Sequence, residues 1–319
     1  MEKEIRKILV TGGAGFIGSS LVRRLVKEGY EVTVIDNLSR GKAKNLKDIL
    51  DKITFIQHDL REPITLDRFD VVFDLAAKVY GITKLYENEA DFIRSNLLIL
   101  LNTLEAVKSK IKHYFYFSSS CVYNFEECPL PHKEEDANRI PKTAYDISKR
   151  FGEEIVKIYA KQFSFFYTII RPFNIYGEEE SEEAPHVITD FFNRLKEIKS
   201  KGLPKKFWML GSGQQTRSFT YKEDLVDALL FLMKTKKSQN ETFNVGTGEE
   251  VTINKLLDLI FEVIGEQRND WEIEHRPPIP QDVQKRCPDV SKLKSLGWRP
   301  KYNLRKGLEK VAEYYGLRR

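Results

Sequence analysis

Residues 10–18 read VTGGAGFIG, and the reading of this stretch decides the fold. The run before it, RKILVTG (6–12), is apolar and β-branched, as a buried strand is, and the run after it (16–29) carries Leu21, Leu25 and Val26 on one helical face. Gly12, Gly15 and Gly18 stand three apart across the joint. The first permits a tight turn, the second lets backbone approach a pyrophosphate, and the third lets the helix pack close to the strand. The helix then offers open N–H groups and a positive dipole end to the phosphates. A glycine trio alone is weak evidence, and EVTVID (31–36) supplies what it lacks. This second strand ends on Asp36, 18 residues past Gly18, where a carboxylate binds adenosine ribose hydroxyls and repels a 2′-phosphate. The predicted cofactor is NAD rather than NADP, with Arg40 the one nearby residue that pulls the other way.

Working outward, ITFIQHD (53–59), DVVFDLAA (70–77) and HYFYFSSS (113–120) read as further strands, and 88–109 and 143–162 as helices. Near-continuous hydrophobicity suits parallel strands covered on both faces. The predicted fold is α/β, a Rossmann-type doubly wound parallel sheet with a smaller C-terminal substrate-binding lobe. Residues 1–172, with a return segment at 218–248, form the NAD-binding domain, and 173–217 and 249–319 the substrate lobe. Asp59 stands where it would hold adenine or cap a helix. The acidic run EEESEEA (178–184) reads as a solvated loop that could serve as a lid.

Composition narrows the classes. The chain has 319 residues, 41% hydrophobic and 31% charged, as in ordinary globular proteins. Its net charge of +5 is the small difference between 52 basic and 47 acidic residues, and no basic stripe is interleaved with aromatics, so nucleic acid is not an expected partner. The apolar runs, such as NLLILLNTL, fall well short of the roughly 18 residues of a membrane span. Three cysteines, Cys121, Cys128 and Cys287, are odd in number and lack metal-ligand spacing. A reducing cytoplasm and no metal are expected.

In YDISK (145–149), Tyr145 and Lys149 share one helical face. An ammonium beside a phenol favours phenolate, which gives a base for a sugar or alcohol hydroxyl. Together, TGGAGFIG, Asp36, LAA (75–77), the serine run of SSSCVYN (118–124), YDISK and RPFNIYG (171–177) resemble the extended short-chain dehydrogenase/reductase family, the nucleotide-sugar epimerases and dehydratases. QQTRSFTYKEDLVDAL (214–229), FNVGTGEEVTI (243–253) and DVQKRCPDVSKLKSLGW (282–298) continue the likeness in order.

The resemblance implies an NAD-dependent enzyme on a nucleoside-diphosphate sugar, passing through a transient 4-keto intermediate, and a homodimer formed through 88–109 and 143–162. It implies Ser119, Tyr145 and Lys149 as the catalytic set, with Lys149 setting the tyrosine pKa and clamping the nicotinamide ribose. Ser119, Ser120, Asn174, Arg217 and Arg286 would meet substrate. Gly12, Gly15, Phe16, Ile17, Gly18, Asp36, Asn37, Asp59, Leu60, Leu75, Ala76, Ala77 and Asn96, with Tyr145 and Lys149, would meet NAD. Asn124 departs from the family, where glycine usually follows the tyrosine.

Position 121 separates the subfamilies. The 4,6-dehydratases and the sugar-acid decarboxylases carry a glutamate there, and C4 epimerases a small or hydroxyl residue. Cys121, with His186 in PHVITDFFNR (185–194) and the echo LAAKVYGI (75–82), is similar to the GDP-mannose 3,5-epimerase and GDP-fucose synthase branch. That likeness favours C3/C5 epimerisation by Cys121 and His186. The alternative is a C4 epimerase of the UDP-glucose/UDP-galactose type, with a 4,6-dehydratase or a non-catalytic NAD-binding protein ranked below it. Cys121 as core packing and His186 as a helix cap remain open beside these roles.

Overall fold

The alternation of short β-branched runs with amphipathic ones builds a seven-stranded parallel sheet. The computed structural model describes residues 5–79, 88–181, 185–278 and 283–318. Strand β1 (Lys7–Thr11) feeds helix α1 (Phe16–Lys27), then β2 (Glu31–Asp36), β3 (Ile53–Gln57), β4 (Val71–Asp74), α2 (Glu89–Val107), β5 (His113–Phe117), α3 (Ala144–Phe163) and β6 (Phe166–Pro172). There follow β7 (Ile175–Tyr176), α4 (Val187–Lys201), β8 (Lys206–Leu210), β9 (Thr216–Arg217), β10 (Thr220–Tyr221), α5 (Lys222–Met233) and β11 (Glu241–Val245). The chain ends with β12 (Val251–Thr252), α6 (Ile253–Val263), β13 (Glu272–Arg276), β14 (Lys285–Arg286), α7 (Ser291–Ser295) and α8 (Leu304–Tyr314).

The strand order is β11-β6-β5-β4-β1-β2-β3. Winding reverses between β1 and β4, which opens a crevice at the carboxyl ends of the strands where such sheets take their ligands. Ile8, Leu9 and Val10 of β1 are wholly buried, because α1 and α5 cover one face and α2 and α3 the other. A separate core of Phe192, Phe207, Leu256, Phe261 and Leu308 fills the smaller lobe. Among the described residues no helix is long and apolar enough to cross a membrane.

Three sequence expectations need correction. Strand β5 stops at Phe117, because the Ser119 hydroxyl accepts the Cys121 N–H at 3.1 Å and turns Ser120–Val122 into a 3-10 helix. Strands β6 and β11 join the sheet although an apolar-run reading passes over them, their charged and amide residues being satisfied inside the fold. The acidic run is not a solvated loop over its described residues 178–181. Glu178 accepts from Tyr221 at 2.7 Å, Glu179 pairs with Arg23 at 3.1 Å, and Glu180 is buried against His186 and Thr189. Residues 182–184, and positions 80–82 of LAAKVYGI, lie outside the described residues.

Candidate active site

At the end of β1 the backbone of Gly12 is left-handed, with φ +65°, and a Cβ there would stand 3.0 Å from the Ala76 nitrogen. A Cβ on Gly18 would collide with the Gly12 carbonyl. Gly15 is the N-cap of α1, with no side-chain cap bond and no acid in the first turn. The helix N-terminus therefore keeps its N–H groups and dipole for an anion, in space where no Cβ fits, and this fits the pyrophosphate of NAD. The Thr11 hydroxyl donates to the Asp74 carboxylate at 2.6 Å and accepts from the Ala76 N–H at 3.0 Å, which fastens the segment Leu75 to Ala77 against the glycine turn. Phe16, Ile17 and Leu75 pack half-buried on the core beneath.

Asp36 is buried and accepts from the N–H groups of Ala14 (3.0 Å) and Leu38 (2.8 Å). Burial pushes its carboxyl up, and the two N–H groups pull the other way. The carboxylate retains lone pairs for ribose hydroxyls. Two of the expected cofactor residues also make contacts within the fold. Asp59 is taken by Arg61 at 2.6 Å and by the Asn37 amide at 3.2 Å, and Arg61 holds its carboxyl well below the usual range, while Leu60 is buried beside it. Asn96 accepts from Lys78 N–H at 2.8 Å and donates to the Ser148 hydroxyl at 3.3 Å, bracing the loop after β4 against α3.

The chemistry gathers where β5 ends and α3 begins. Ser119 is half-exposed whereas Ser120 is buried. The Ser119 side chain stands beside the Tyr145 phenol, one turn from Lys149, and favours its ionised form. Burial nevertheless pushes Tyr145 well up, reinforced by Cys121 and Asp146, and the cation opposing this is Arg40. Lys149 is buried, donates to the Phe117 carbonyl at 2.7 Å, and is pushed down to about 8 by burial, with Asp74 working the other way. The expectation that Lys149 draws down the phenol's pKa is thus corrected, because its ammonium is turned onto the sheet. Behind it, Arg171 grips buried Glu153 with two bonds (2.8 and 2.7 Å), Ser118 donates to Glu153 at 2.5 Å, and Arg171 reaches the Tyr123 hydroxyl at 3.0 Å.

Burial pushes the Cys121 thiol up, with Arg286 opposing and Asp146 adding to the rise. Its sulfur lies 3.7 Å from Arg286 Nη1, and burial pushes the nearby Asp146 carboxyl up to about 6. Asp146, Arg40 and Glu180 are the residues that sequence reasoning missed. Only Asp146 had a signal, the Thr143-to-Asp146 capping spacing.

On the substrate side β14 pairs with β9 so that Arg286 faces Arg217 across the ladder. The Arg286 guanidinium stacks on Phe125 at 4.4 Å. Asn174 adopts φ +40° and donates its amide to the Ser218 carbonyl at 2.8 Å. His186 begins α4 without capping it. Its Nδ1 meets Glu180, 4% exposed, while 67% of its own side chain stays open. Partial desolvation lowers the imidazole pKa but Glu180 outweighs it, so His186 is held above its ordinary value, with Arg40 and Arg286 opposing.

A bare helix end for a pyrophosphate, an acid for ribose, and a tyrosine beside a serine define a dinucleotide-dependent enzyme that takes a proton from an alcohol. The model of the NAD dependent epimerase/dehydratase family matches residues 8–246. The chain belongs to that family and is an NAD-dependent enzyme of nucleotide-sugar chemistry. It is similar to the UDP-glucose 4-epimerase of Thermotoga maritima, whose structure was solved with UDP-glucose (31% identity, TM-score 0.85, covering 97% of this chain and 98% of that one). It is also similar to the UDP-N-acetylglucosamine 4-epimerase of Methanobrevibacter ruminantium (28%, TM-score 0.87, 98% of each chain). UDP-glucuronic acid decarboxylase 1 of Danio rerio is 32% identical over 321 residues, covering 98% of this chain and 73% of that one. These relatives are 4-epimerases and a decarboxylase, not members of the GDP-mannose 3,5-epimerase branch.

Proposed function

We propose that the enzyme interconverts the C4 epimers of a UDP-sugar through a 4-keto sugar, the alternative rather than the favoured reading of the sequence. The observation that carries it is Ser119, after the end of β5, brought beside Tyr145 on the first turn of α3. The groups for oxidising one alcohol are assembled, and burial pushes the neighbouring Cys121 thiol up, away from the thiolate that a base for a carbon proton would need. NAD, when bound, supplies reversible oxidation of the sugar at C4. The Tyr145 phenol exchanges the O4 proton, Ser119 orients that oxygen, and Arg40 is the cation on hand to favour phenolate. Arg217 and Arg286, side by side, suit the diphosphate. The uridine nucleotide is read from the 4-epimerases and the decarboxylase this chain resembles. The half-exposed Cys121 and the open His186, both near Arg286, support the C3/C5 reading instead.

The test incubates NAD-loaded enzyme in D2O with UDP-glucose, UDP-galactose, UDP-N-acetylglucosamine and UDP-glucuronate, followed by NMR. The expected product is a C4 epimer without solvent deuterium. Deuterium at C3 or C5 that disappears in Cys121→Ala would replace this reading with the cysteine–histidine one. Carbon dioxide from UDP-glucuronate would make the enzyme a decarboxylase, and absence of turnover with NAD bound would favour a binding protein. We further propose a homodimer through α2 and α3, because Phe151 and Ile158, 56% and 60% exposed, share one face of α3. A Phe151→Glu variant that sediments as the wild type would end that idea. The three cysteines are free, in keeping with a reducing compartment.

A further inference from the structure

Two arginines of this fold are held in different ways. Buried Arg171 is gripped by Glu153, which takes its charge and accepts two of its hydrogen bonds. Half-buried Arg286 instead lies on a ring, its guanidinium carbon 4.4 Å from the centre of Phe125. Its Nη1 stands 3.7 Å from the Cys121 sulfur, and its Nε is buried with no hydrogen-bond partner among the described residues. A ring face attracts a guanidinium without accepting any of its N–H groups, so the charge and the donors remain for an anion. The backbone fixes the ring to the segment that carries the arginine. Phe125 packs on wholly buried His132, with ring centres 5.1 Å apart. The His132 N–H donates to the Cys287 carbonyl at 2.9 Å, and the His132 carbonyl accepts the Asp289 N–H at 2.8 Å. The Asn244 amide closes the joint, donating to the carbonyls of His132 at 2.9 Å and Asp289 at 3.1 Å. Ring and guanidinium therefore belong to one hydrogen-bonded frame.

We propose that Phe125 is a positioning residue, whose ring holds the Arg286 guanidinium in place for the substrate diphosphate. A planar guanidinium suits this post, because it stacks on the ring by its face while its N–H groups point along its edge. The frame also joins diphosphate to sugar. Phe125 follows closely on the turn of Ser119 and Cys121, where the Cys121 N–H donates to the Ser119 oxygen at 3.1 Å, so the arginine and the catalytic serine are set by one stretch of chain. The role rests on the proposed reading of Arg286 as a diphosphate contact.

The experiment has two independent readouts on the NAD-loaded enzyme. In the first, UDP binding is measured by calorimetry. Phe125→Leu keeps an apolar side chain and removes the ring, and UDP affinity should fall about fivefold. KM for the UDP-sugar should rise by a similar factor, with kcat within about twofold. Phe125→Trp, which keeps an aromatic face, should bind UDP within about twofold of the wild type. In an Arg286→Ala background Phe125→Leu should cost less than about twofold more, because the group it positions is already gone. Unchanged UDP affinity in Phe125→Leu, or the full loss repeated without Arg286, would overturn the positioning role. In the second readout, phenylglyoxal modification of Arg286 is followed by peptide mass spectrometry with no nucleotide sugar present. The rate should rise about threefold or more in Phe125→Leu and stay at the wild-type value in Phe125→Trp. An unchanged rate in Phe125→Leu would show that the ring does not hold the guanidinium. Should the wild-type enzyme fail to bind UDP, the proposed substrate falls, while the modification rate still decides whether Phe125 fixes Arg286.

Discussion

Helices α1 and α3 both begin at the carboxyl edge of the sheet, and they are finished in opposite ways. At α1 the N-cap is Gly15, the first turn carries no acid, and no side chain covers the N–H groups. At α3 the N-cap is Thr143, whose hydroxyl accepts the Asp146 N–H at 3.3 Å, and the first two turns carry Tyr145 and Lys149. One end binds by what has been removed, so that backbone meets phosphate. The other acts through what has been added, so that side chains meet the sugar. A cofactor used in one way tolerates a backbone site, whereas a choice among sugars needs side chains whose positions are individually fixed.

The largest effect should come from the dressed end. Tyr145→Phe removes the phenol proposed to exchange the O4 proton, and kcat should fall about 10²- to 10⁴-fold with NAD binding unchanged by fluorescence titration. Equal losses of both would mean that the two helix ends do not divide the work. Next is the scaffold of that end. Glu153→Gln leaves the buried Arg171 guanidinium without its anion and should cost about 3–5 kcal/mol in denaturant unfolding. The side chains concerned are 0% and 4% exposed, so a loss under about 1 kcal/mol would show that the network behind Ser119 carries little of its stability.

The bare end should respond in the opposite sense. Gly15 has ordinary extended backbone (φ −77°, ψ −178°), and a Cβ there would stand 3.1 Å from the Gly12 carbonyl. Gly15→Asp puts a capping carboxylate where the phosphates bind. NAD affinity should drop by roughly thirtyfold, about 2 kcal/mol, while the apoprotein loses less than about 1 kcal/mol in thermal unfolding, the new cap offsetting the tight 3.1 Å contact. If apoprotein stability and NAD affinity fall together, steric disruption rather than charge explains the loss.

The same contrast governs what the sequence discloses. The Gly12, Gly15 and Gly18 spacing and Asp36 are legible because they obey local backbone rules, fixed within one strand–turn–helix unit. The strands β1 to β5 are legible because burial on both faces makes them continuously apolar. Ser119 and Tyr145 could be named, but not the direction of Lys149, which depends on the Phe117 carbonyl and Asp74 across the sheet. Glu180 beneath His186, and Arg286 beside Cys121, come from segments whose approach only the fold sets. The pairing of Asp59 with Arg61, two residues away, leaves no periodic trace either.

The smallest expected effect tests whether the cap of α3 serves the helix alone. Thr143→Ala deletes the oxygen that accepts the Asp146 N–H and should cost about 1 kcal/mol, or roughly 2 °C in Tm. If the cap only satisfies backbone groups, kcat stays at the wild-type value. If it also fixes the helix start that carries Tyr145, kcat falls about twofold to threefold with KM unchanged, and Thr143→Ser restores both stability and rate because it keeps the hydroxyl. A stability loss with kcat untouched would confine the cap to the helix. A loss in both would tie the dressing of α3 to its chemistry, the reverse of α1, where any dressing should cost function.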